Sequence, residues 1–240
     1  MARILLVPGF WLGAWAWDDV AGRLRALGDE VAAVTPRGVD PGDADRLSVT
    51  LEEQARGIVE AVPEGETRVL VLHSGAGVTG YLATDIAPER FERVIYVDTA
   101  PGWEGFAVNP ELDPELREWE LPDWAEFEAQ EPGLLDGLDE AALARFRAGA
   151  VSEPATIAAV PLKLSDRTDR LAIPSTVICS SFTAAVAQQL RDAPEVSLFD
   201  ELARIDADYI DLPTGHWPMF SRPVELAESL HEIANRPLAD

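Results

Sequence analysis

The chain has 240 residues, of which 47% are hydrophobic, and its formal net charge is -24. This composition excludes a disordered chain, and the length suits one large domain with a sizeable core. The negative charge disfavours nucleic acid or an anionic membrane surface as a partner, because the protein would repel either polyanion.

The cysteine content and the N-terminal sequence indicate in which cellular compartment the protein is expected. Cys179 is the only cysteine, which excludes an intrachain disulfide and favours a reducing environment. The apolar stretch ILLVPGFWLGAWAW lacks the charged leader and cleavage site of a signal peptide, and no apolar run has the length of a membrane span. We therefore expect a soluble, cytoplasmic protein. Its oligomeric state stays open, with a homodimer among the alternatives.

Short apolar runs alternate with helical spacings along the chain. The runs predict strands at 3–7, 30–35, 68–73, 93–99, 175–181 and 207–212. Helical spacing predicts helices at 15–27, 50–62, about 75–87 and about 222–235. Gly28 is a C-cap candidate for the first helix, and Thr50 with Glu53 forms a capping box for the second. Because the strands are continuously apolar, we expect a doubly wound, mostly parallel sheet of the α/β class, covered by helices on both faces.

Residues 101–172 interrupt this alternation. They contain many prolines, acidic helical pieces and three tryptophans, but no convincing strand. We interpret them as a helical cap inserted within a single domain, whose core is formed by residues 1–100 and 173–240. An ordinary long crossover is the alternative. A cap would lie at the carboxyl ends of the strands, where such folds bind ligands.

The stretch HSGAG, at residues 73–77, holds the first candidate for chemistry. Ser74 follows a buried strand and opens a helix, which is the setting of a nucleophile elbow. An ordinary serine in a tight turn is the alternative. Leu72 departs from the elbow pattern, which has a small residue two positions before the nucleophile. We expect Leu72 to loosen or shift the neighbouring strand, without abolishing catalysis.

A serine nucleophile needs a base, and the sequence offers three histidines. His73 should point to the opposite face of its strand from Ser74, so we expect it to pack near the site. His231 lies within the last predicted helix, where we expect a surface or packing residue. His216 lies between the last strand and the last helix, at the same edge of the sheet as Ser74. We therefore predict His216 as the base.

Three segments, in this order, resemble the α/β-hydrolase superfamily: VPGFWLGAWAW near the N-terminus, the HSGAG turn, and TGHWPMFSRP near the C-terminus. Their spacing is similar to that of small bacterial esterase-like relatives of the plant methylesterase and hydroxynitrile lyase group. The resemblance covers the chain outside the predicted cap. It implies an oxyanion hole made by the backbone N–H groups of Phe10 and Gly75. Many relatives have His-Gly where this chain has Pro8-Gly9, but neither donor is at position 8.

The acid of a Ser-His-acid triad is less obvious. In the family it most often follows the strand that ends near residue 180, where this chain reads SSFT and has no carboxylate. Asp98 ends the strand at 93–99, and some α/β-hydrolases, the haloalkane dehalogenases among them, are similar in having the acid there. We predict Asp98 as the acid. A Ser-His dyad, with Asp98 merely capping a turn, is the alternative.

These residues predict a serine hydrolase that cleaves a small, mainly apolar carboxylic ester, thioester or lactone, with no metal or organic cofactor. Aromatic side chains line many apolar pockets, so we offer four tryptophans as pocket residues: Trp11, Trp103, Trp124 and Trp217. For Trp11, packing under the cap is the alternative.

Two other functions stay open. A lyase or C–C hydrolase could use the same serine and histidine, but lyases of the resembled group use a lysine, and Lys163, the sole lysine, lies at the end of the predicted cap. A non-catalytic protein that binds a small molecule is the other, because fold alone does not imply catalysis.

Overall fold

The computed structural model describes residues 1–113, 115–193 and 201–238. Within them it has eight strands: β1 Arg3–Val7, β2 Glu30–Ala33, β3 Arg68–His73, β4 Phe91–Val97, β5 Glu118–Trp119, β6 Glu153–Pro154, β7 Ser175–Cys179 and β8 Ala207–Asp211. Six of them form one parallel sheet in the order β2-β1-β3-β4-β7-β8, and β5 pairs with β6 in antiparallel fashion. The predicted mostly parallel α/β fold is confirmed.

The same residues contain nine α-helices: α1 Asp18–Ala26, α2 Leu51–Glu60, α3 Ala76–Ile86, α4 Trp124–Gln130, α5 Glu140–Gly149, α6 Ala155–Ala158, α7 Ala184–Arg191, α8 Pro218–Ser221 and α9 Pro223–Ala234. The first begins later than predicted, because residues 14–17 form a 3-10 turn ahead of it. The capping box of Thr50 and Glu53 is present at the start of α2. None of the helices in the described ranges is long and apolar enough to cross a membrane.

The apolar strands form the centre of the core. Every residue of β3 is buried, as are the last four residues of β1. Strands that are buried on both faces of a sheet need helices covering both faces. Two helix pairs pack together, α1 with α9 and α2 with α3. This is why the strands read as continuous apolar runs rather than as alternating ones.

The carboxyl ends of β1, β3 and β4 lie side by side. Val7 of β1 pairs with Leu72 of β3, and His73 pairs with Val97 of β4. The chain passes from β1 to the edge strand β2 and then returns to β3 on the other side of β1. Strand order therefore reverses at the β1–β3 pair, and ligands bind beside such reversals in folds of this type.

Leu72 does not disturb the sheet, so the expected loosening or shift of a neighbouring strand is wrong. Leu72 pairs in regular register with Val7 on one side and with Tyr96 on the other. The register irregularity between β3 and β4 lies at the start of β3 instead. Room for the leucine comes from α3, where a Cβ on Gly80 would lie 2.1 Å from Leu72 Cδ2.

The segment between β4 and β7 contains α4, α5 and α6 together with β5 and β6. The sequence predicted no strand in this segment. That prediction is wrong, because β5 and β6 are strands of two residues each. Such short pairings give no readable alternation, and Pro154 ends one of them. That residues 101–172 act as a cap stays a prediction.

Candidate active site

Ser74 lies in the sharp turn between β3 and α3. Its φ is +52°, in the left-handed region that non-glycine residues seldom occupy, and such strain is common at functional turns. Its carbonyl oxygen accepts hydrogen bonds from the Gly77 N–H at 2.9 Å and the Thr99 hydroxyl at 2.8 Å. A Cβ on Gly9 would lie 2.6 Å from Ser74 Cβ, so the loop after β1 can approach the serine only with a glycine there.

His216 lies between Ser74 and Asp98. Its Nε2 is 2.8 Å from Ser74 Oγ, and its Nδ1 is 2.6 Å from Asp98 Oδ2. An ionised carboxylate only accepts hydrogen bonds, so we assign the proton to Nδ1, which leaves Nε2 to accept from the Ser74 hydroxyl. The structure therefore brings together the three residues that sequence reasoning proposed as nucleophile, base and acid.

Asp98 follows β4 with a φ of +48° and is 3% exposed. Its Oδ1 accepts the backbone N–H groups of Ser180 and Ser181, each at 2.8 Å, and its Oδ2 accepts the Ser181 hydroxyl at 2.7 Å. Burial by itself raises the pKa of Asp98. The hydrogen bond and the charge of His216, with the serine donors, outweigh this and hold the pKa well below its usual range. The carboxylate therefore stays ionised beside the imidazole.

The loop after β7, which has no carboxylate, provides these serine donors to Asp98. Sequence reasoning noted the missing acid but gave no role to the two serines. Strand register explains the arrangement, because Val97 pairs with Ile178 and the two strands end side by side. Asp211, the nearby aspartate that ends β8, points elsewhere and accepts the Ala184 N–H at the start of α7.

The other two histidines bond away from the Ser74 hydroxyl. His73 Nδ1 accepts the Gly9 N–H at 3.3 Å, so its Nε2–H donates to the His216 carbonyl oxygen at 2.8 Å. Burial first, and the charge of His216 second, lower the pKa of His73 to about 3, so this ring is neutral. His231 Nδ1 lies 2.6 Å from Asp29 Oδ2 and links α9 to the start of β2.

The two backbone N–H groups suggested for an oxyanion hole are both unpaired within the described residues. No side chain or carbonyl there accepts a hydrogen bond from Phe10 N–H or Gly75 N–H. The two residues touch, because a Cβ on Gly75 would lie 2.5 Å from the Phe10 ring. Phe10, Gly75 and Ser74 line the same cavity, and unpaired backbone donors beside a serine nucleophile can stabilise a developing oxyanion.

Two apolar cavities meet at Ser74 and His216, with volumes of about 260 and 270 Å³. The first has an apolar wall formed by Val78, Trp103, Phe106, Val108 and Phe182. The second has a mainly aromatic wall formed by Phe10, Trp11, Trp119, Phe127, Leu134 and Trp217. Exposed Glu131 adds a carboxylate to the second cavity. No group of three potential metal-binding side chains occurs in the part of the chain that the structure describes.

Of the four tryptophans offered as pocket residues, three line these cavities: Trp11, Trp103 and Trp217. Trp124 lies outside both linings, so its role as a pocket residue stays a prediction. Its ring packs on Phe127 and Phe146, and the Arg147 guanidinium lies 4.2 Å from the ring centroid. Phe182 was missed, although its place just after β7, beside the site, was a usable signal.

Known proteins share this fold. A model of the alpha/beta hydrolase family matches residues 4–229. A carbendazim hydrolyzing esterase of Nocardioides sp. (strain SG-4G) is 29% identical, over 96% of this chain and 98% of the relative. Methylesterase 7 of Arabidopsis thaliana is 31% identical over 101 residues, and that match spans 40% of this chain but only 38% of the plant protein.

Solved structures show the same architecture. An extracellular alpha/beta-hydrolase from a Paenibacillus species, described as sharing structural and functional homology with tobacco salicylic acid binding protein 2, superposes with a TM-score of 0.76. It is 20% identical and covers 98% of this chain, while the whole of that chain is matched. At this identity the likeness supports the fold. The family match, over nearly the whole chain, confirms the resemblance seen in the sequence. The chain belongs to the alpha/beta hydrolase family.

Proposed function

We propose that this protein hydrolyses a small, mainly apolar carboxylic ester, thioester or lactone through a Ser74-His216-Asp98 triad and an acyl-enzyme. The observation that carries the proposal is the continuous hydrogen-bonded chain from Ser74 Oγ through the imidazole to a buried carboxylate. It opens onto two apolar cavities beside unpaired backbone donors. Each part has a role in acyl transfer.

The chemistry follows from the geometry. Ser74 Oγ attacks the substrate carbonyl carbon while His216 Nε2 accepts its proton, and Asp98 stabilises the resulting imidazolium. The N–H groups of Phe10 and Gly75 bind the oxyanion of the tetrahedral intermediate. His216 then protonates the leaving alcohol or thiol, which departs as the acyl-enzyme forms. Water, deprotonated by the same imidazole, attacks the acyl-enzyme and releases the acid.

The cavities suggest the substrate's shape. Because the carbonyl carbon must lie at Ser74, one cavity would take the acyl group and the other the leaving group. Both walls are mainly apolar, so we propose apolar groups on both sides of the ester. The volumes of about 260 and 270 Å³ favour small groups rather than long chains.

A panel of p-nitrophenyl and aryl esters, thioesters and lactones, with acyl chains from two to twelve carbons, tests the proposal. We expect hydrolysis that is fastest for short or aromatic acyl groups and that falls to background in Ser74→Ala. Thr79→Ser, a buried hydroxyl variant on α3 outside both cavity linings, serves as the control and should keep its activity. No turnover of any substrate by the folded protein would contradict the proposal.

The alternative functions have less support. The sole lysine, Lys163, lines a different cavity, whose lining includes neither Ser74 nor His216. A lysine-dependent lyase reaction therefore has no candidate lysine at the site. A purely binding role would leave the ordered Ser74-His216-Asp98 hydrogen bonds without a use, and it predicts a folded protein that turns over none of the panel.

A further inference from the structure

Glu153 is a buried carboxylate that touches the loop after β1. It lies on β6 and is 2% exposed. Its Oε2 accepts the backbone N–H of Trp11 at 3.3 Å, and its Oε1 accepts the side-chain amide of Gln54 at 3.2 Å. Trp11 directly follows Phe10, whose N–H is one of the two donors of the proposed oxyanion hole.

Trp11 is held from several directions by the segment that carries Glu153. Its carbonyl oxygen accepts the Val151 N–H at 3.0 Å, and its indole N–H donates to the Trp119 carbonyl oxygen at 3.0 Å. Its φ is +64°, which a bulky residue adopts only where its surroundings hold it. The hydrogen bond from the Trp11 N–H to Glu153 restrains rotation about the Trp11 N–Cα bond, which is the rotation that φ measures.

Glu153 has no ion-pair partner among the described residues, so its contacts are hydrogen bonds. The neighbouring Arg46 guanidinium bonds instead to Glu118 and to the backbone and hydroxyl oxygens of Ser152. Burial raises the pKa of Glu153 to about 7, against the opposing effect of its hydrogen bonds from Gln54 and Trp11. A buried carboxylate without an ion-pair partner adds little to the free energy of unfolding through its charge. Its specific contribution is an acceptor oxygen for the loop.

We propose that Glu153 is a positioning residue that holds Trp11 in its left-handed conformation and thereby fixes the Phe10 N–H at the oxyanion position. This inference rests on the proposed function for its catalytic consequence. Without the acceptor, the peptide between Phe10 and Trp11 can rotate toward an unstrained conformation. Phe10 is then no longer fixed on its C-terminal side, so its own N–H, in the preceding peptide, can leave the oxyanion position. The contact also connects the segment 101–172 to the catalytic loop, so that segment would contribute to transition-state stabilisation.

The test compares Glu153→Met, which fills the space without an acceptor, with Glu153→Gln, which keeps an acceptor and loses the charge. Glu153→Ala serves if the methionine variant does not fold. Glu118→Gln is the matched control, because Glu118 lies on the paired strand β5 and bonds to Arg46 and Ser152 rather than to the loop. Two quantities are measured: kcat and KM on the best ester, and amide hydrogen exchange of the peptide covering residues 8–13.

We expect Glu153→Met to lower kcat by roughly 10- to 100-fold, with KM changed by no more than about twofold, because an oxyanion donor acts mainly in the transition state. Exchange in residues 8–13 should quicken in the same variant. Glu153→Gln should retain most of kcat, and Glu118→Gln should match the wild type in both measurements.

Unchanged loop exchange in Glu153→Met, or an unchanged kcat, would overturn the inference, as would equal losses in Glu153→Gln and Glu153→Met. Exchange does not depend on turnover. If the wild type hydrolysed no ester, thioester or lactone of the panel, the proposed function would fail. Quicker exchange in Glu153→Met would still support the positioning of the loop, and unchanged exchange would overturn it.

Discussion

Leu72 of β3 occupies the space that Gly80 of α3 leaves, and a Cβ on that glycine would lie 2.1 Å from Leu72 Cδ2. The contact lets a large residue stand two positions before Ser74 while the register of β3 stays regular. Residues 72 and 80 therefore share one space in the core, and we expect the effects of substituting them to be coupled.

This pair predicts a reversal in the effect of one substitution. Gly80→Ala should destabilise the wild type by about 1–3 kcal/mol, because the added methyl overpacks the core. In a Leu72→Ala background the same change should be neutral or stabilising, since alanine is favoured over glycine in helices by about 1 kcal/mol. Urea unfolding of the four proteins measures the coupling. Additive free energies would show that the two side chains do not compete for space.

Asp98→Asn should lower kcat by roughly 10⁴-fold, because an amide can donate to Nδ1 and so stabilise the wrong imidazole tautomer. Asp211→Asn is the matched control, since this aspartate ends a strand of the same sheet but accepts the Ala184 N–H. Steady-state kinetics on one ester compare the two. Near-full kcat in Asp98→Asn would remove Asp98 from the triad and favour the dyad.

Ser181→Ala should lower kcat by about tenfold, because a hydrogen bond to a charged group contributes about 1.5–3 kcal/mol and this one fixes the Asp98 carboxylate. Ser180→Ala is the control. The Ser180 hydroxyl has no partner among the described residues, although its backbone N–H also donates to Asp98. Equal kinetics for the two variants would mean that the Ser181 hydroxyl does not hold the acid.

His73 should make the fold sensitive to acid. Burial lowers the pKa of His73 to about 3 from 6.5, so between these values the unfolded chain binds a proton that the folded chain does not. The free energy of unfolding therefore decreases as pH falls through this window, by an amount on the order of a few kcal/mol. His73→Gln, which can still donate to the His216 carbonyl, should lack this dependence.

The quantity to compare is the difference in the free energy of unfolding between wild type and His73→Gln, measured at each pH. Glu153 has the opposite sign, because its pKa is raised to about 7 from 4.5, so its contribution to stability is lost as pH rises through that range. Glu153 is present in both proteins and its effect cancels in the difference. Urea unfolding at several pH values between 4 and 7 gives this quantity. A difference independent of pH would contradict the neutral assignment of His73.

The fold was readable from sequence because buried parallel strands give continuous apolar runs, and β3 matches its predicted bounds. The candidates Ser74, His216 and Asp98 were readable for a related reason. In a parallel sheet, residues that follow strands at their carboxyl ends meet at one edge, whatever their separation in sequence.

Contacts between side chains on different elements were not readable. The space that Gly80 leaves for Leu72 depends on how α3 packs on β3, and nothing in local spacing encodes that distance. Trp124 shows the same limit. Whether an aromatic residue faces a cavity or packs one layer behind depends on its neighbours, here Phe146 and Arg147.

Covalent labelling of Ser74 tests the central claim most directly. A fluorophosphonate reacts with a serine hydroxyl only where a base and an oxyanion hole activate it. Peptide mapping by mass spectrometry should place the adduct on Ser74 in the wild type, with far slower labelling in His216→Ala and none at this position in Ser74→Ala. A folded wild type that acquires no adduct, or acquires it on another residue, would contradict the account.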